Sequence, residues 1–221
     1  MLLWRSRRAI GRAVTAGMRG GLADIRRRGE LPPIRKAVGR EAGDGEADDP
    51  AGQGPAMTFA LDAARRLGLS VRPMTDEDLP FIAALYASTR TQELAATGWP
   101  EAMQQAFLTQ QHLAQDRHYR AVWPDAERLI VELGGVPAGR LYLGRSSDRV
   151  RVVDISLLPQ ARGRGFGSAL LRDLQRQAQA GGLAVALSVV PGNPARRLYE
   201  RLGFVAVACL DPASQEMVWW P

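Results

Sequence analysis

Lysine is almost missing from this chain of 221 residues: Lys36 is the only one, and every other basic side chain is arginine. A phosphate loop of the Gly-Lys-Ser/Thr type is therefore excluded beyond residue 36. Arginine used so consistently in place of lysine points to a GC-rich bacterial genome. Cysteine is equally scarce. Cys209 stands alone, so there is no internal disulfide and no cysteine-based metal cluster. His112 and His118 are the only imidazoles; a metal site would have to be mostly carboxylate, and none is expected. No apolar run approaches the ~20 residues of a membrane helix, so no membrane span is expected and the protein is read as cytoplasmic.

What remains is ordinary for a globular chain: 46% hydrophobic and 24% charged residues, enough for one core. The net charge of +6 is unevenly placed. Residues 1–40 hold eleven basic side chains against Asp24 and Glu30, residues 41–50 hold five acids and no base, and residues 51–221 hold 18 basic against 16 acidic. The main body is thus nearly neutral, and its bulk charge does not indicate nucleic acid as a partner. EAGDGEADDPAGQGP, residues 41–55, has little to bury and reads as a flexible linker. Residues 1–55 are expected to be a disordered basic arm with this acidic Gly/Pro linker, and residues 56–221 the folded domain. For the arm, three readings compete: a segment touching RNA, DNA or anionic lipid, a targeting segment, or an extension without a fold, with Met57 as the true start.

Periodicity sharpens from residue 69. LSVRPM (69–74) reads as a strand, Thr75 as the N-cap of a helix carrying FIAALYAS, and residues 100–116 as a second helix with Pro100 in its first turn and Met103, Phe107 and Leu113 inward. Strands follow at 128–133, 136–144 and 149–158, the first two joined by Gly134-Gly135. Residues 168–180 are helical with Leu170, Leu171, Leu174 and Ala178 on one face. A strand (183–190), a short helix ending at Gly203 and strands at 204–210 and 215–220 complete the chain. The order β-α-α-β-β-β-α-β-α-β-β describes an α/β (α+β) fold, a mixed sheet with helices on its faces.

Between the third strand and the next helix lies LLPQARGRGFGS, residues 157–168. A strand running into Gly163-Arg164-Gly165-Phe166-Gly167-Ser168 and then a helix leaves backbone N–H groups uncovered at the positive end of a helix dipole. That is a cradle for a phosphate or pyrophosphate, and Arg162 and Arg164 can add charge-assisted contacts. Glycines at such a turn also permit tight packing. A dinucleotide-binding turn would need a third glycine where Ser168 stands, and an acid about 20 residues on, yet no Asp or Glu occurs between Asp173 and Glu200.

Gln160-Ala161-Arg162-Gly163-Arg164-Gly165 resembles the Q/R-x-x-G-x-G/A signature of the GNAT superfamily of acetyl-CoA-dependent N-acetyltransferases. Asn193 to Phe204, with Tyr199 and Leu202-Gly203-Phe204, resembles its downstream segment. The likeness covers about two-thirds of the chain and none of residues 1–55. It implies a mostly antiparallel central sheet with helices on both faces and acetyl-CoA as co-substrate. The pantetheine arm would lie on main-chain groups of Ser156, Leu157 and Leu158, with the pyrophosphate on the amides of Gly163, Arg164, Gly165, Phe166, Gly167 and Ser168. Gln160, Arg162 and Asn193 would also face the cofactor. Tyr199, with an ordinary pKa of about 10, would act as general acid toward the departing thiolate.

Such a reaction needs no Ser or Cys nucleophile, because the amine attacks the thioester directly. It does need a base, and Asp154 and Glu132 are the candidate carboxylates; a strand carboxylate also serves as a structural hydrogen-bond partner. Members that acetylate protein N-termini carry a glutamate five residues before the motif asparagine. Ser188 stands there, which turns the expectation toward small free amines, with peptides not set aside. Trp99, Glu93 and Gln104 are candidates for the acceptor side, Trp99 equally for the core. His118 and Tyr119 are read as structural. Two functions remain in view: an N-acetyltransferase for a small-molecule or peptide amine, or a non-catalytic acyl-CoA-binding module whose basic arm docks RNA, membrane or a protein partner. The apolar tail MVWWP either caps the core or pairs two subunits as a homodimer.

Overall fold

The computed structural model describes residues 61–207 and 214–221, so the arm and linker expected over residues 1–55, and Cys209, lie outside the described residues. A short helix that the periodicity does not announce comes first: α1, Asp62–Arg65. Four residues cannot hold a helix alone. The fully buried Asp173 carboxylate holds it, accepting hydrogen bonds from the Ala63 N–H (3.0 Å) and the Ala64 N–H (2.8 Å), two of the donors that a helix start leaves unsatisfied.

Strand β1, Leu69–Pro73, leads to Thr75, which forms a capping box with Asp78 around a 3-10 turn at Asp76–Asp78 before α2, Leu79–Ser88. The expected helix thus begins one turn late. Its delay is held by Arg72, whose guanidinium grips Asp78 at 2.7 and 2.6 Å and Glu132 at 2.8 Å. A short α3, Thr91–Ala95, precedes α4, Glu101–Val122, which outruns the expected segment by six residues and has Pro100 as its N-cap. Met103 and Leu113 do not point inward: each is about half exposed, at 52% and 50%. What anchors α4 is Tyr119, near its far end and 2% exposed.

The hairpin is as expected, β2 (Glu127–Leu133) turning at Gly134-Gly135 into β3 (Val136–Arg145), followed by β4 (Arg149–Leu157). After a 3-10 turn at Pro159–Ala161 come α5 (Phe166–Ala180), β5 (Ala184–Val189), α6 (Ala195–Arg201), β6 (Val205–Ala206) and β7 (Gln215–Trp219). The expected strand over 204–210 is only two residues long within the described residues. The seven strands form one sheet in the order β1-β2-β3-β4-β5-β7-β6, antiparallel except for the β4–β5 pair.

Helices cover both faces. On one, α1 and α5 close over a core that includes Leu141, Leu143, Val152, Leu170, Leu171, Leu174, Val185 and Met217. On the other, α2 and α4 cover Ile130 and Tyr142, with Ile82, Leu85 and Tyr86 also buried. Each fully buried aliphatic side chain contributes about 1.5–3 kcal/mol through removal from water.

One irregularity organises the centre of the sheet. Along β3 and β4, Leu143 faces Val152 but Tyr142 faces Asp154, so Val153 is an extra residue without a partner. This bulge reverses the alternation of β4. Before it Val150 and Val152 enter the α5 core; after it Ile155 and Leu157 pack there, and Asp154 and Ser156 turn to the opposite face. Pairing of β4 with β5 stops at Val152 and Leu187, while β4 continues along β3 to Leu157. A gap therefore opens between β4 and β5.

The β3 residue opposite the far end of β4 is Gly139, paired with Leu157. A Cβ there would strike the Ser156 carbonyl oxygen and come within 2.6 Å of Leu157 Cδ2. Gly139→Ala is expected to cost about 1–3 kcal/mol through overpacking against backbone, read as a lowered urea midpoint at unchanged m-value.

Candidate active site

Strand geometry decides which main-chain groups look into the gap. The Leu158 N–H donates to the Ala138 carbonyl at 2.9 Å, so in the antiparallel ladder Ser156 and Leu158 direct their N–H and C=O toward β3, and Ile155 and Leu157 direct theirs away from it. Of the three residues expected to offer main-chain groups, the register leaves Leu157 facing the gap. Ile155, which the sequence reading passed over, joins it. The Leu157 carbonyl accepts a hydrogen bond from Arg162 Nε at 2.8 Å, tying the strand end to the glycine turn.

At the turn, Gly163 (φ +73°) and Gly165 (φ +82°) are left-handed, and a Cβ at either would meet nothing within 4 Å. Backbone conformation, not crowding, demands glycine there, and the space above the turn is open. Helix α5 starts at Phe166, two residues earlier than its hydrophobic stripe indicates, with Gly165 as N-cap and no side-chain cap. The N–H groups of its first turn therefore face outward at the positive end of a 15-residue dipole. The Phe166 ring is buried and anchors the turn, while Arg164 lies exposed with its guanidinium 4.8 Å from that ring. Gln160 is exposed on the preceding 3-10 turn, and Ser168 is half-buried in the first turn of α5.

Asn193 Oδ1 accepts the Ala195 N–H at 2.9 Å and sets the start of α6. Tyr199, on that helix, is 8% exposed and meets the Phe204 ring edge-on at 6.0 Å. Burial, aided by the charge of Asp154, pushes its hydroxyl up to about 12. Tyr199 is therefore protonated throughout the neutral range; it is part of the apolar core cluster, and its hydroxyl feels the charge of Asp154.

The opposite face of the sheet carries a small, partly open pocket of about 10 Å³, room for about one water, lined by Leu85, Tyr86, Thr89 and Arg90 from α2 and the turn after it, Gln115 from α4, Arg140 from β3, and Asp154 and Ser156 from β4. Its floor is a buried polar network. Asp154 accepts hydrogen bonds from Tyr119 Oη (2.9 Å), Arg140 Nη2 (2.8 Å) and Ser156 Oγ (2.7 Å), and Arg140 Nη2 also donates to Gln115 Oε1 (2.8 Å). Burial alone would raise the Asp154 pKa, but the Arg140 charge and the hydrogen bonds outweigh it and hold the carboxyl well below the usual range. Burial and the neighbouring Asp154 charge likewise raise Tyr119 well above an ordinary tyrosine. Glu132, the other candidate base, is bound to Arg72 and Ser70 at the β1 edge of the sheet and does not line the pocket.

Trp99 meets Phe107 edge-on at 5.5 Å, Gln104 donates to the Trp99 carbonyl at 2.8 Å, and Glu93 pairs with Arg90 at 3.0 Å. None of these three lines the pocket. The residues that do, Arg140 and Gln115 above all, escaped the sequence reading. The available signal was an arginine inside an apolar strand, facing an aspartate one strand away.

Removing one member of a buried ion pair strands the other. Asp154→Asn is expected to cost about 3–5 kcal/mol at pH 7, whereas Asp154→Leu combined with Arg140→Met should cost less. Because the folded-state pKa of Asp154 is depressed, its contribution is full above the unfolded value of about 3.9 and fades as pH falls toward the folded one. The gap between wild type and Asp154→Asn in denaturation midpoints should narrow below about pH 4.

A family model described as the acetyltransferase (GNAT) family matches residues 90–204. No curated protein matches the chain. Among solved structures, the PaiA N-acetyltransferase of Thermoplasma acidophilum in complex with coenzyme A is similar at 16% identity and TM-score 0.52, covering 69% of this chain and 99% of that one. An acetyltransferase of Thermus thermophilus is similar at 21% identity and TM-score 0.52, covering 70% and 98%. Both have the same fold as this sheet with its helices on two faces. With the family match spanning more than half of its length, the chain belongs to the GNAT acetyltransferase family.

Proposed function

We propose that the protein transfers an acetyl group from acetyl-CoA to the nitrogen of a primary amine, a small molecule or a peptide. The observation that carries this reading is the junction of three features at the gap between β4 and β5. An uncapped glycine turn follows the end of β4, the main-chain groups of Ile155 and the N–H of Leu157 point away from β3, and a protonated Tyr199 feels the charge of Asp154 in the pocket floor. The pyrophosphate sits on the amides of residues 163–168, the pantetheine arm adds to the free edge of β4 as a strand would, and the amine enters from the Tyr86–Arg140 side.

The amine nitrogen attacks the acetyl carbonyl carbon, the C–N bond forms and the C–S bond breaks. Tyr199 donates its hydroxyl hydrogen bond to the departing sulfur. Asp154 serves as a fixed charge that orders Arg140, Tyr119 and Ser156, because three donors already occupy its oxygens. The alternative function, an acyl-CoA-binding module without turnover, shares the same cradle and differs only in whether thiol is released.

Calorimetric titration of the full chain with acetyl-CoA and free CoA should give micromolar binding that Gly165→Glu abolishes, since that position demands φ +82° and a carboxylate there repels phosphate. Tyr199→Phe should keep the binding and lower amine-dependent thiol release by about 10²–10⁴-fold. Binding without release from any amine would favour the binding module, and absence of binding would remove both readings.

A further inference from the structure

The proposed reaction needs a proton acceptor, and the carboxylates first considered are engaged: Asp154 by Tyr119, Arg140 and Ser156, Glu132 by Arg72 and Ser70. Glu93 is paired with Arg90. One proton-accepting group, packed against two lining residues though not itself lining the pocket, is otherwise unused. His112 lies on α4 one turn before Gln115, a pocket residue, and its ring packs 5.5 Å from that of Tyr86, another pocket residue. Its Nδ1 is buried and has no hydrogen-bond partner among the described residues. A buried imidazole nitrogen left unpaired beside a polar pocket is a group that substrate or an ordered water completes.

Resting on the acetyltransferase reading, we propose that His112 is the general base for the acceptor amine, taking its proton directly or through one water at the wall between α2 and α4. Charged and titratable groups surround it from each element packed there: Tyr86 from α2, with Arg90 from the following turn stacked on the Tyr86 ring and paired with Glu93, Arg140 backed by Asp154 from the sheet, and Asp116 from its own helix. Burial, followed by the Arg140 charge, moves His112 below its ordinary value of 6.5 against a smaller opposing effect of Asp116. The imidazole is thus neutral at physiological pH and able to accept a proton. The balance is R–NH3⁺ + acetyl–S–CoA → R–NH–acetyl + CoA–SH + H⁺. His112 takes the first ammonium proton and passes it to solvent. The second, shed as the C–N bond forms, accompanies the electron pair of the breaking C–S bond to sulfur by way of Tyr199.

The test is thiol release by the full chain at saturating acetyl-CoA with ethanolamine, putrescine, 2-phenylethylamine and an alanine-initial tripeptide, followed as kcat/KM for total amine against pH. A base of low pKa acting on the ammonium form gives wild type a plateau from below pH 6.5 up to the pKa of the amine. In His112→Gln the plateau should vanish, the rate should climb tenfold per pH unit as free amine appears, and it should lie about 10²–10⁴-fold lower near pH 7. Acetyl-CoA affinity should be unchanged, which reports that the variant is folded. Because His112 and His118 are the only histidines, imidazole resonances assigned with His118→Asn give a second readout in otherwise native protein: amine added to the CoA complex should shift the His112 signals. Release that keeps its plateau in His112→Gln, or His112 signals that stay put, overturns the role of His112 alone. Absence of release from every amine, with acetyl-CoA still bound, overturns acetyl transfer and this inference with it.

Discussion

A single unpaired residue, Val153, sets the geometry on which the candidate site depends. Without the bulge, the alternation that sends Val150 and Val152 into the α5 core would send Asp154 and Ser156 there too, and a carboxylate would lie among Leu170, Leu171 and Val185. An unpaired ion in such a place costs several kcal/mol. With the bulge, the apolar side chains Ile155 and Leu157 keep the core closed while Asp154 meets Arg140 and Tyr119 on the other face. Pairing of β4 with β5 ends at Val152, the residue just before the bulge. Core packing, the free strand edge and the polar pocket floor are consequences of the same insertion.

Charge is used locally in this domain. The body of the chain is nearly neutral, so no broad positive field draws in a polyanion. In the proposed function, attraction for phosphate is concentrated at the start of α5, where the helix has no side-chain cap and Arg162 and Arg164 flank the turn. Arg162 is also spent on structure, its Nε held by the Leu157 carbonyl. A ligand that occupies the turn and the strand edge together therefore meets one preassembled surface rather than two independent parts.

Much of this architecture was legible in the residue pattern. The glycine turn, the leucine stripe of α5 and the Gly134-Gly135 hairpin are local features whose spacing carries their geometry, and the structure has all three. The start of α5 was less legible, because Gly167 lies inside the helix where glycine ordinarily signals an end. Met103 and Leu113 lie at helical spacing on α4 yet face water, since that helix packs chiefly through Tyr119 at its far end. The pocket floor was the hardest to foresee. Arg140 and Asp154 are fourteen residues apart on adjacent strands, and only the bulge brings them to one face, which period-two counting assigns wrongly for every residue after Val153.

The same buried charge constrains the proton chemistry across the gap. With its hydroxyl raised to about 12 by burial and by Asp154, Tyr199 is a far weaker acid than a free thiol at about 8.5, and outright protonation of a thiolate by it would run uphill by about 5 kcal/mol. In the proposed reaction Tyr199 therefore acts as a hydrogen-bond donor to developing charge on sulfur, and releases its proton only as it gains another. In that proposal the acceptor nitrogen supplies the proton when it becomes cationic in forming its bond to carbon. The raised pKa therefore suits a relay in which nitrogen, Tyr199 and sulfur exchange protons together, and it leaves the earlier deprotonation of the ammonium to a group on the pocket side.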